Sequence, residues 1–542
     1  MTITALFLLL TAQQAVPRVG VGVIETKLTL REAVEMALAS NLDLEVERTN
    51  RASARESLKG AFGAYDPVFH WQPSVDSRAQ PTGSPLAGVN GKVSEKALGQ
   101  NFSLRGKTPW SGLSLGADFE NGRLSTNNPF AGLNPYSNSR LILSATQPLF
   151  RNRLIDHDRQ ELRLRRKQID LSDADYRLRV IDVVTRVELA YWDLSAARQD
   201  AVVTFEAVSL AREQYARNER MIASGTMAPI ELSASRAELE RRLDGYYAST
   251  GLVTEFENNL KQLLSPSRQN EIWSQVIVPT DVKGMVTTPE LPDVREAVAT
   301  ALQNRPEMQQ IGVRKETNQF EQQFAADQSK PVVNLVGSYI NAGLAGSLSS
   351  STNPFGASNA VLFDRVNKLS ASAGLSPLES VSFGSVPSSL IGGYGTALGA
   401  VFGGSYQSAS IGLSLDLTLR NRAAQSLAAQ TAIAGKRLDF EQRRAEQTIE
   451  AQVRSGLQAI QTARQRIVAA EASEAAAKEK LESETRLFQS GESTNFFVLT
   501  RQNEYLDARR RVLVAQLELN KAAARLALAH GGTIERHAIK IN

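Results

Sequence analysis

The sequence predicts a mixed α and β membrane protein in which one structural unit occurs twice, each unit combining strands with long coiled-coil-like helices. Three short motifs recur in the same order at an offset of roughly 265 positions, which indicates a duplication. Within each unit, the apolar residues change from the alternation typical of strands to helical spacing over very long stretches. Each unit therefore has the order helix, strands, long helix, turn, long helix.

The recurring motifs relate the two units residue by residue. They are the letters REAV at 31–34 and 295–298, RNR at 151–153 and 420–422, and SG at 224–225 and 490–491. A single match of this kind has little weight in a chain rich in Ala and Leu. Three matches in the same order favour a duplicated unit over chance.

Composition excludes several classes of function. The 542 residues include 61 Lys and Arg against 57 Asp and Glu, a net charge of only +4, so no nucleic-acid partner is expected. The chain has no cysteine, which excludes disulfides, thiolate metal sites and a cysteine nucleophile. None of the four histidines forms the i, i+4 pair of a metal-binding helix, and we expect no cofactor.

The expected organisation follows from these patterns. A signal peptide is expected at 1–16, a connector at 265–292 and a C-terminal tail at 531–542. The first repeat, at 17–264, contains strands in 66–149 and a helical hairpin at 152–264. The second repeat, at 293–530, contains strands in 331–419 with a long loop at 342–404, and a helical hairpin at 421–530. The first helix is expected over 28–60, with Thr29 and Glu32 at capping-box spacing. Whether residues 79–121 add strands or form a separate hairpin stays open at this point.

Apolar residues mark the seams of the long helices. The expected stripes are Val180, Val184, Val187 and Tyr191 in the first unit, and Ile449, Val453, Leu457, Ile460 and Ile467 in the second. Their spacing of four and three residues is typical of a coiled-coil-like seam. Such narrow seams leave no apolar surface to cover the strands.

The strands carry one apolar and one polar face. The strongest alternation places five apolar residues on one side of a single strand: Ile411, Leu413, Leu415, Leu417 and Leu419. No apolar run beyond the N-terminal segment reaches the ~18 residues of a spanning helix. Strands with lipid outside and water inside must close into a barrel, because unpaired backbone groups are costly in lipid. Too few strands are predicted for one chain to enclose a channel, so the barrel is expected to be shared between copies.

The residues carry a family resemblance. A helix beginning LREAVEMALASN at 30–41, then strands, QPLF at 147–150, a long helix, a Ser-Gly turn and a second long helix, all repeated, resembles the TolC-type outer-membrane efflux and secretion channels. The resemblance covers roughly 28–530 and implies a homotrimer with four strands per chain in one twelve-stranded barrel. It also implies an outer-membrane location, a helical tunnel crossing the periplasm, a periplasmic adaptor and, through it, an inner-membrane pump.

Three groups of residues are candidates for function under this resemblance. The hairpin tips for adaptor docking are Ser224, Gly225, Thr226, Ser490, Gly491 and Glu492. A pore constriction that closes by dewetting is expected at Phe496, Phe497 and Thr500. Many family members have aspartates at the positions that match Phe497 and Thr500. The alternative for the two phenylalanines is packing between helices.

The strand-to-helix junctions form the third group. They contain Arg151, Asn152, Arg153, Arg420, Asn421 and Arg422. One interpretation makes the asparagines helix N-caps. The other has the arginines holding lipid phosphates at the inner headgroup layer, and the two interpretations are compatible.

The predicted function is a passive exit duct that carries small molecules or proteins. An enzyme is not expected: Gly112, Ser114 and Gly116 match the G-x-S-x-G pattern, but that motif needs a helix after the serine, and alternation continues here. The rival is a periplasmic adaptor or structural coiled-coil protein without a barrel. Such proteins usually have one helical hairpin, whereas this sequence has two, together with amphipathic strands.

Overall fold

The computed structural model describes residues 22, 24–83, 91–281, 291–350, 354–379 and 385–540, with backbone alone at 354–359. The expected signal peptide at 1–16 lies outside the described residues. The helices are α1 (Leu30–Ser40), α2 (Leu42–Phe62), α3 (His157–Ala223), α4 (Ile230–Leu264), α5 (Val294–Asn304), α6 (Pro306–Gln328), α7 (Pro354–Ser372), α8 (Tyr394–Phe402), α9 (Arg422–Gln489), α10 (Asn495–His530) and α11 (Thr533–Arg536). The strands are β1 (Ile24–Leu28), β2 (Val68–Pro81), β3 (Lys92–Lys107), β4 (Ser114–Thr126), β5 (Leu133–Pro148), β6 (Gln275–Pro279), β7 (Val332–Leu348) and β8 (Tyr406–Asp416).

The described elements divide between two compact units, which are distinct from the two repeats of the sequence. One contains residues 1–56, 167–316 and 435–542, and the other contains 57–166 and 317–434. Each unit takes residues from both sequence repeats. Among the described residues, no helix is both long enough and apolar enough to cross a membrane.

The first unit is built on the long helices. The stripe residues Val184, Val187 and Tyr191 of α3 are fully buried, and they pack in a core with Leu260 of α4 and Leu44 of α2. Burial raises the pKa of Tyr191 to about 12, and its hydroxyl donates to the carbonyl oxygen of Leu28 at 2.9 Å. The predicted α3 seam is therefore confirmed as a core element.

A corresponding core forms around α9. The buried side chains of its stripe are Ile449, Val453, Leu457 and Ile460, as expected, and Ile467 is partly buried against them. They pack with Ala297 and Ala301 of α5, the counterpart of α1. In both repeats, a stripe of apolar residues on the long helix after the strands is buried in a core.

Ionised groups are also buried in the first unit. The Lys261 ammonium lies 2.6 Å from a Glu257 carboxylate oxygen, and both side chains are almost completely buried. Arg198 contacts the same carboxylate at 3.3 Å. Burial lowers the pKa of Arg198 below its ordinary value, and the Glu257 charge opposes that shift.

The expected first helix over 28–60 is divided. Its start is as predicted, since Thr29 and Glu32 form a reciprocal capping box. The chain is extended at Asn41, whose amide group donates to the carbonyl oxygen of Leu263 at 2.8 Å. A matching break at Arg305 precedes Pro306, because a residue before proline avoids helical backbone angles.

The second unit is a six-stranded antiparallel sheet with helices. Its strand order is β2-β3-β4-β5-β7-β8, a meander in which every adjacent pair is antiparallel. Residues 79–121 therefore add strands to this sheet, and the four strands per chain that the resemblance implies is wrong. A separate two-stranded sheet pairs β1 with β6, inside the expected connector.

The strand expected over 411–419 is shorter than predicted. β8 ends at Asp416, which pairs with Val332, the first residue of β7. Leu417 and Leu419 therefore lie beyond the ladder and are 61% and 95% exposed. Pro331 precedes β7, so these two leucines have no strand partner there.

The loop expected at 342–404 contains helices. β7 extends to Leu348, and α7 and α8 follow within the segment. α8 packs on the sheet, with Ala397 and Val401 fully buried. Gly343 permits this contact, since a Cβ atom there would collide with the carbonyl oxygen of Ala397. Small residues, which suggested a loop, instead allow a helix to approach a strand closely.

Candidate functional sites

The six-stranded sheet has two chemically different faces. Its register aligns one side chain per strand across the whole sheet: Phe69, Leu104, Ala117, Leu143, Tyr339 and Ala409. The adjacent row on the opposite face contains His70, Ser103, Asp118, Ile142, Ile340 and Ser408. Because successive side chains in a strand alternate faces, the sheet at this level is apolar on one side and mainly polar on the other.

Away from α8, which packs on this face at Gly343, the apolar face is open to the surroundings of the single chain. Trp71 is 55% exposed, Ile411 is 79% exposed and Leu413 is 69% exposed. A monomeric water-soluble protein rarely exposes so large an apolar surface. The face therefore requires an apolar environment, either lipid or another protein.

Ser114 belongs to this sheet and not to a catalytic turn. It is the first residue of β4, and a strand follows it. A nucleophile elbow needs a helix directly after the serine. The G-x-S-x-G match at 112–116 is thus part of a turn and strand.

The two RNR junctions meet at the end of α6. The Gln328 amide donates to Asn152 Oδ1 at 2.9 Å, and the Asn421 amide donates to the Gln328 carbonyl oxygen at 3.1 Å. Arg151 also donates to the Gln328 side chain, at 2.8 Å from Nε. One residue of α6 therefore ties together both strand-to-helix connections.

The N-cap interpretation holds for one junction only. Asn421 directly precedes α9 and its Oδ1 accepts from the Ala424 amide at 3.4 Å. Asn152 adopts a positive φ of 63° and lies five residues before α3, so it does not cap that helix. Asp156 does, accepting from the Arg159 amide at 2.8 Å. The side chains of Arg153, Arg420 and Arg422 are exposed.

Both hairpin tips have the same backbone structure. At the first tip, the Thr226 amide donates to the Met221 carbonyl oxygen at 2.9 Å, around Gly225 with φ +77°. At the second, the Glu492 amide donates to Leu487 at 2.9 Å, around Gly491 with φ +85°. This six-to-one hydrogen bond with a left-handed glycine is the Schellman motif. Every residue of both predicted tips is exposed.

A buried polar network beside the tips joins the two hairpins, and sequence reasoning missed it. Gln214 of α3 donates to Asn495 Oδ1 at 2.9 Å and to Asn218 Oδ1 at 3.0 Å. Asn218 donates in turn to Ser235 of α4, and Asn495 donates to Glu231 at 3.3 Å. The network connects α3, α4 and α10, which are distant in sequence. No local motif could reveal it, since its members come from three helices.

The candidate constriction residues lie directly beside this network. Asn495 is buried, whereas Phe496 and Phe497 are 69% and 48% exposed, with their rings 5.7 Å apart in an edge-on arrangement. The Thr500 hydroxyl donates to the Phe496 carbonyl oxygen at 2.8 Å. Within one chain, neither phenylalanine is buried between helices.

Ion pairs continue the connection between the hairpins along α10. Arg510 makes two parallel hydrogen bonds to Asp200 of α3, at 2.6 and 2.7 Å. Arg509 pairs with Glu206, and Lys521 pairs with Asp193. Bidentate arginine–carboxylate pairs fix geometry as well as adding energy. The first and second hairpins are therefore held together by specific polar contacts.

The amphipathic sheet and the paired long helical hairpins together form an architecture that is also found in solved outer-membrane channels. The protein-family model for outer membrane efflux proteins matches residues 94–265, which include β4, β5, α3 and α4. None of the curated proteins is significantly similar to the chain in sequence. Over these residues the chain is similar to the outer membrane efflux proteins, as the sequence resemblance suggested.

Solved channel structures share the fold. The outer-membrane channel OprN is 15% identical with a TM-score of 0.63, covering 93% of this chain and 90% of its own. The CmeC channel of Campylobacter jejuni is 17% identical with a TM-score of 0.61, covering 93% and 86%. The MtrE channel of Neisseria gonorrhoeae, in its open state, is 14% identical with a TM-score of 0.58, covering 93% and 89%. Such low identity supports a shared architecture and transfers no individual residue.

Proposed function

We propose that three copies of this chain form the passive exit duct of a tripartite efflux or type I secretion system. The amphipathic sheets join in one barrel, with the apolar face toward outer-membrane lipid and the polar face toward the lumen. The helices extend the duct into the periplasm. Cargo passes without any bond being made or broken, so the energy comes from an inner-membrane pump.

The continuous apolar row across all six strands is the observation that carries this proposal. The row has one apolar residue in each strand. Among the described residues, no element covers Ile411 and Leu413 on this side of the sheet. In a barrel, that row faces acyl chains and every backbone group inside the sheet is paired. The periplasmic adaptor alternative gives no role to such a sheet.

Adaptor docking is assigned to the two hairpin tips. Gly225 and Gly491 end their helices in the same motif, so the tips present similar exposed surfaces. Three chains would display six similar tips, which suits a ring of repeated adaptor contacts. The exposed junction residues Arg153, Arg420 and Arg422 are assigned to lipid phosphates, because a guanidinium matches phosphate geometry.

Gating is assigned to the region where Phe497 meets the buried network. Side chains of Phe497 from three chains would narrow the lumen and exclude water, as hydrophobic constrictions do. Opening requires α10 to move relative to α3, which breaks the contact between Gln214 and Asn495. Partner binding at the tips would supply the free energy for that movement.

Spin labels in β8 test the membrane assignment. Labels at Ile411, Leu413 and Leu415 are expected to collide with oxygen in lipid after reconstitution into vesicles. Matched labels at Ser410, Gly412 and Ser414, on the opposite face, are expected to collide with a water-soluble nickel complex. Uniform aqueous or protein-buried signals at all six positions would refute the proposal.

A further inference from the structure

We propose that β2 of one copy pairs with β8 of the next copy, so that the β2–β3 hairpin widens the shared barrel. Six strands from each of three copies make an eighteen-stranded barrel. The number of copies rests on the proposed function, whereas the edge pairing rests on the sheet itself. Barrels of 16–18 strands enclose an aqueous channel, as in porins.

The two outer strands of the sheet are unpaired on one side. β2 has 14 residues and β8 has 11, and among the described residues no strand pairs with the outer edge of either. An unpaired backbone group is unfavourable in hydrocarbon, where no water can pair with it. A sheet in lipid must therefore have both edges occupied.

Strand direction selects a second copy as the occupant. All five adjacent pairs in the sheet are antiparallel, so with six strands β8 runs opposite to β2. Placing β8 of one copy beside β2 of another thus continues the antiparallel pattern without interruption. An odd number of strands would have forced a parallel pair at each subunit boundary.

Both edge strands also present the same chemistry on the same face. Val75 of β2 is 80% exposed on the apolar side of the sheet, as Ile411 of β8 is. His70 and Ser408 share the polar side, because the register connects them through four intervening strands. Joining the edges keeps each face continuous, whereas a hairpin folded into water would expose apolar side chains.

Neither edge has strong protection against pairing. Natural edge strands are commonly blocked by lysine, proline, bulges or very short length. β8 contains no lysine, arginine or proline, and its register with β7 is regular. β2 has Pro73 within the strand and Pro81 at its end, and its charged residues Asp76 and Arg78 lie on the polar face, so only one backbone donor is missing within the strand. The edges are suited to accept a strand.

Engineered disulfides test this pairing directly, because the natural chain has no cysteine. Ser74→Cys in β2 is combined in turn with Ser408→Cys, Ser410→Cys and Ser414→Cys in β8, to scan the unknown register. The positions share the polar face, so a correct register brings the sulfur atoms within bonding distance. Oxidation in intact outer membranes is followed by non-reducing electrophoresis.

We expect one register to produce dimers and circular trimers, and the single-cysteine variants to give at most dimers. The matched control replaces Ser74→Cys by Glu120→Cys, on the polar face of β4, an interior strand. Cross-links from β4 to β8, or none from β2 in any register, would overturn the edge pairing. Cross-linked rings of another size would contradict the trimer and leave the edge pairing intact.

Discussion

In the proposed duct, the side chain of Phe497 would link the buried helix contacts to the lumen. It follows by two residues the buried Asn495, which accepts a hydrogen bond from Gln214. The side chain is half exposed in the single chain, which leaves it free to meet copies of itself. A hydrophobic ring at this place would seal the duct to ions.

Removing that ring is expected to open the duct. Phe497→Ala should raise the single-channel conductance severalfold in planar bilayers, because the constriction loses its apolar side chains. The matched control is Phe440→Ala in α9, which removes another exposed phenylalanine away from the tips. An unchanged conductance in Phe497→Ala would end the constriction hypothesis.

The buried ion cluster gives a second prediction for single residues. Glu257 is the carboxylate partner of both Lys261 and Arg198. Glu257→Gln removes the carboxylate that Lys261 and Arg198 share, and we expect it to lower the free energy of unfolding by about 3 kcal/mol. Lys261→Met should cost less, since the carboxylate keeps Arg198 and the methionine replaces the alkyl stem.

Thermal unfolding in detergent, followed by circular dichroism, measures this difference. The expected order of stability is wild type, then Lys261→Met, then Glu257→Gln. Equal losses in the two variants, or a larger loss in Lys261→Met, would show that Arg198 does not compensate. The comparison holds the site constant and changes only which charge is missing.

Among the elements, the two hairpins are the parts that sequence predicts best. A left-handed glycine after a long amphipathic stretch is a local signal, and both tips occur where Ser-Gly occurs. The seam residues Val184, Val187 and Tyr191 are buried as their spacing indicates. Long helices are predicted well from local sequence patterns, because the backbone hydrogen bonds of a helix join residues that are close in sequence.

The number of strands in the sheet is harder to predict from the sequence. β2 contains Pro73, Asp76 and Arg78, and β3 contains glycines, so neither strand shows the clean alternation of β8. In the structure β2 pairs with β3 and β3 pairs with β4, and the sequence pattern of a single strand does not indicate its partner. α8 was missed for a similar reason, since its Gly- and Ala-rich sequence gains order by packing on Gly343.

Glycine at the tips gives the prediction for these elements. Gly225→Trp and Gly491→Trp place a large side chain on backbone with positive φ, in otherwise open space. We expect transport to be lost while trimers still form, because the strain of about 1–2 kcal/mol per site is small against the whole fold. Substrate efflux in cells and heat-modifiable migration of the trimer measure the two effects.

Gly245→Trp is the matched control. Gly245 lies within α4, and a Cβ atom there also meets open space. It should leave efflux close to the wild-type level. Efflux that persists in both tip variants would show that the tips are not the docking surface.

The whole molecule divides its tasks between two kinds of element. The sheet carries the surface chemistry of a membrane protein, and the helices carry the ion pairs and the buried polar network. The β2–β3 hairpin lies at one edge of the sheet, beside a contiguous four-stranded set made of β4, β5, β7 and β8. Without this hairpin, four strands remain. The new edge strand β4 runs in the same direction as β2, so the two edge strands are still antiparallel to each other.

Deleting residues 68–113 is therefore expected to give a chain that still inserts and assembles, with β4 as the new edge. In this background, Glu120→Cys combined with a cysteine in β8 should form the intersubunit disulfide that it cannot form in the full chain. Failure of the shortened chain to reach the outer membrane would show that the hairpin is needed for the sheet and is not an addition to it. Outer-membrane fractionation and non-reducing electrophoresis provide the measurements.

The meander also bears on how such ducts change during evolution. Because the sheet is entered from α2 and left toward α3 at the ends of antiparallel strands, an inserted hairpin returns the chain to its starting side. A gene can thus acquire or lose one hairpin without redesigning the coiled-coil half of the protein. Bore diameter and partner compatibility become separately inheritable traits.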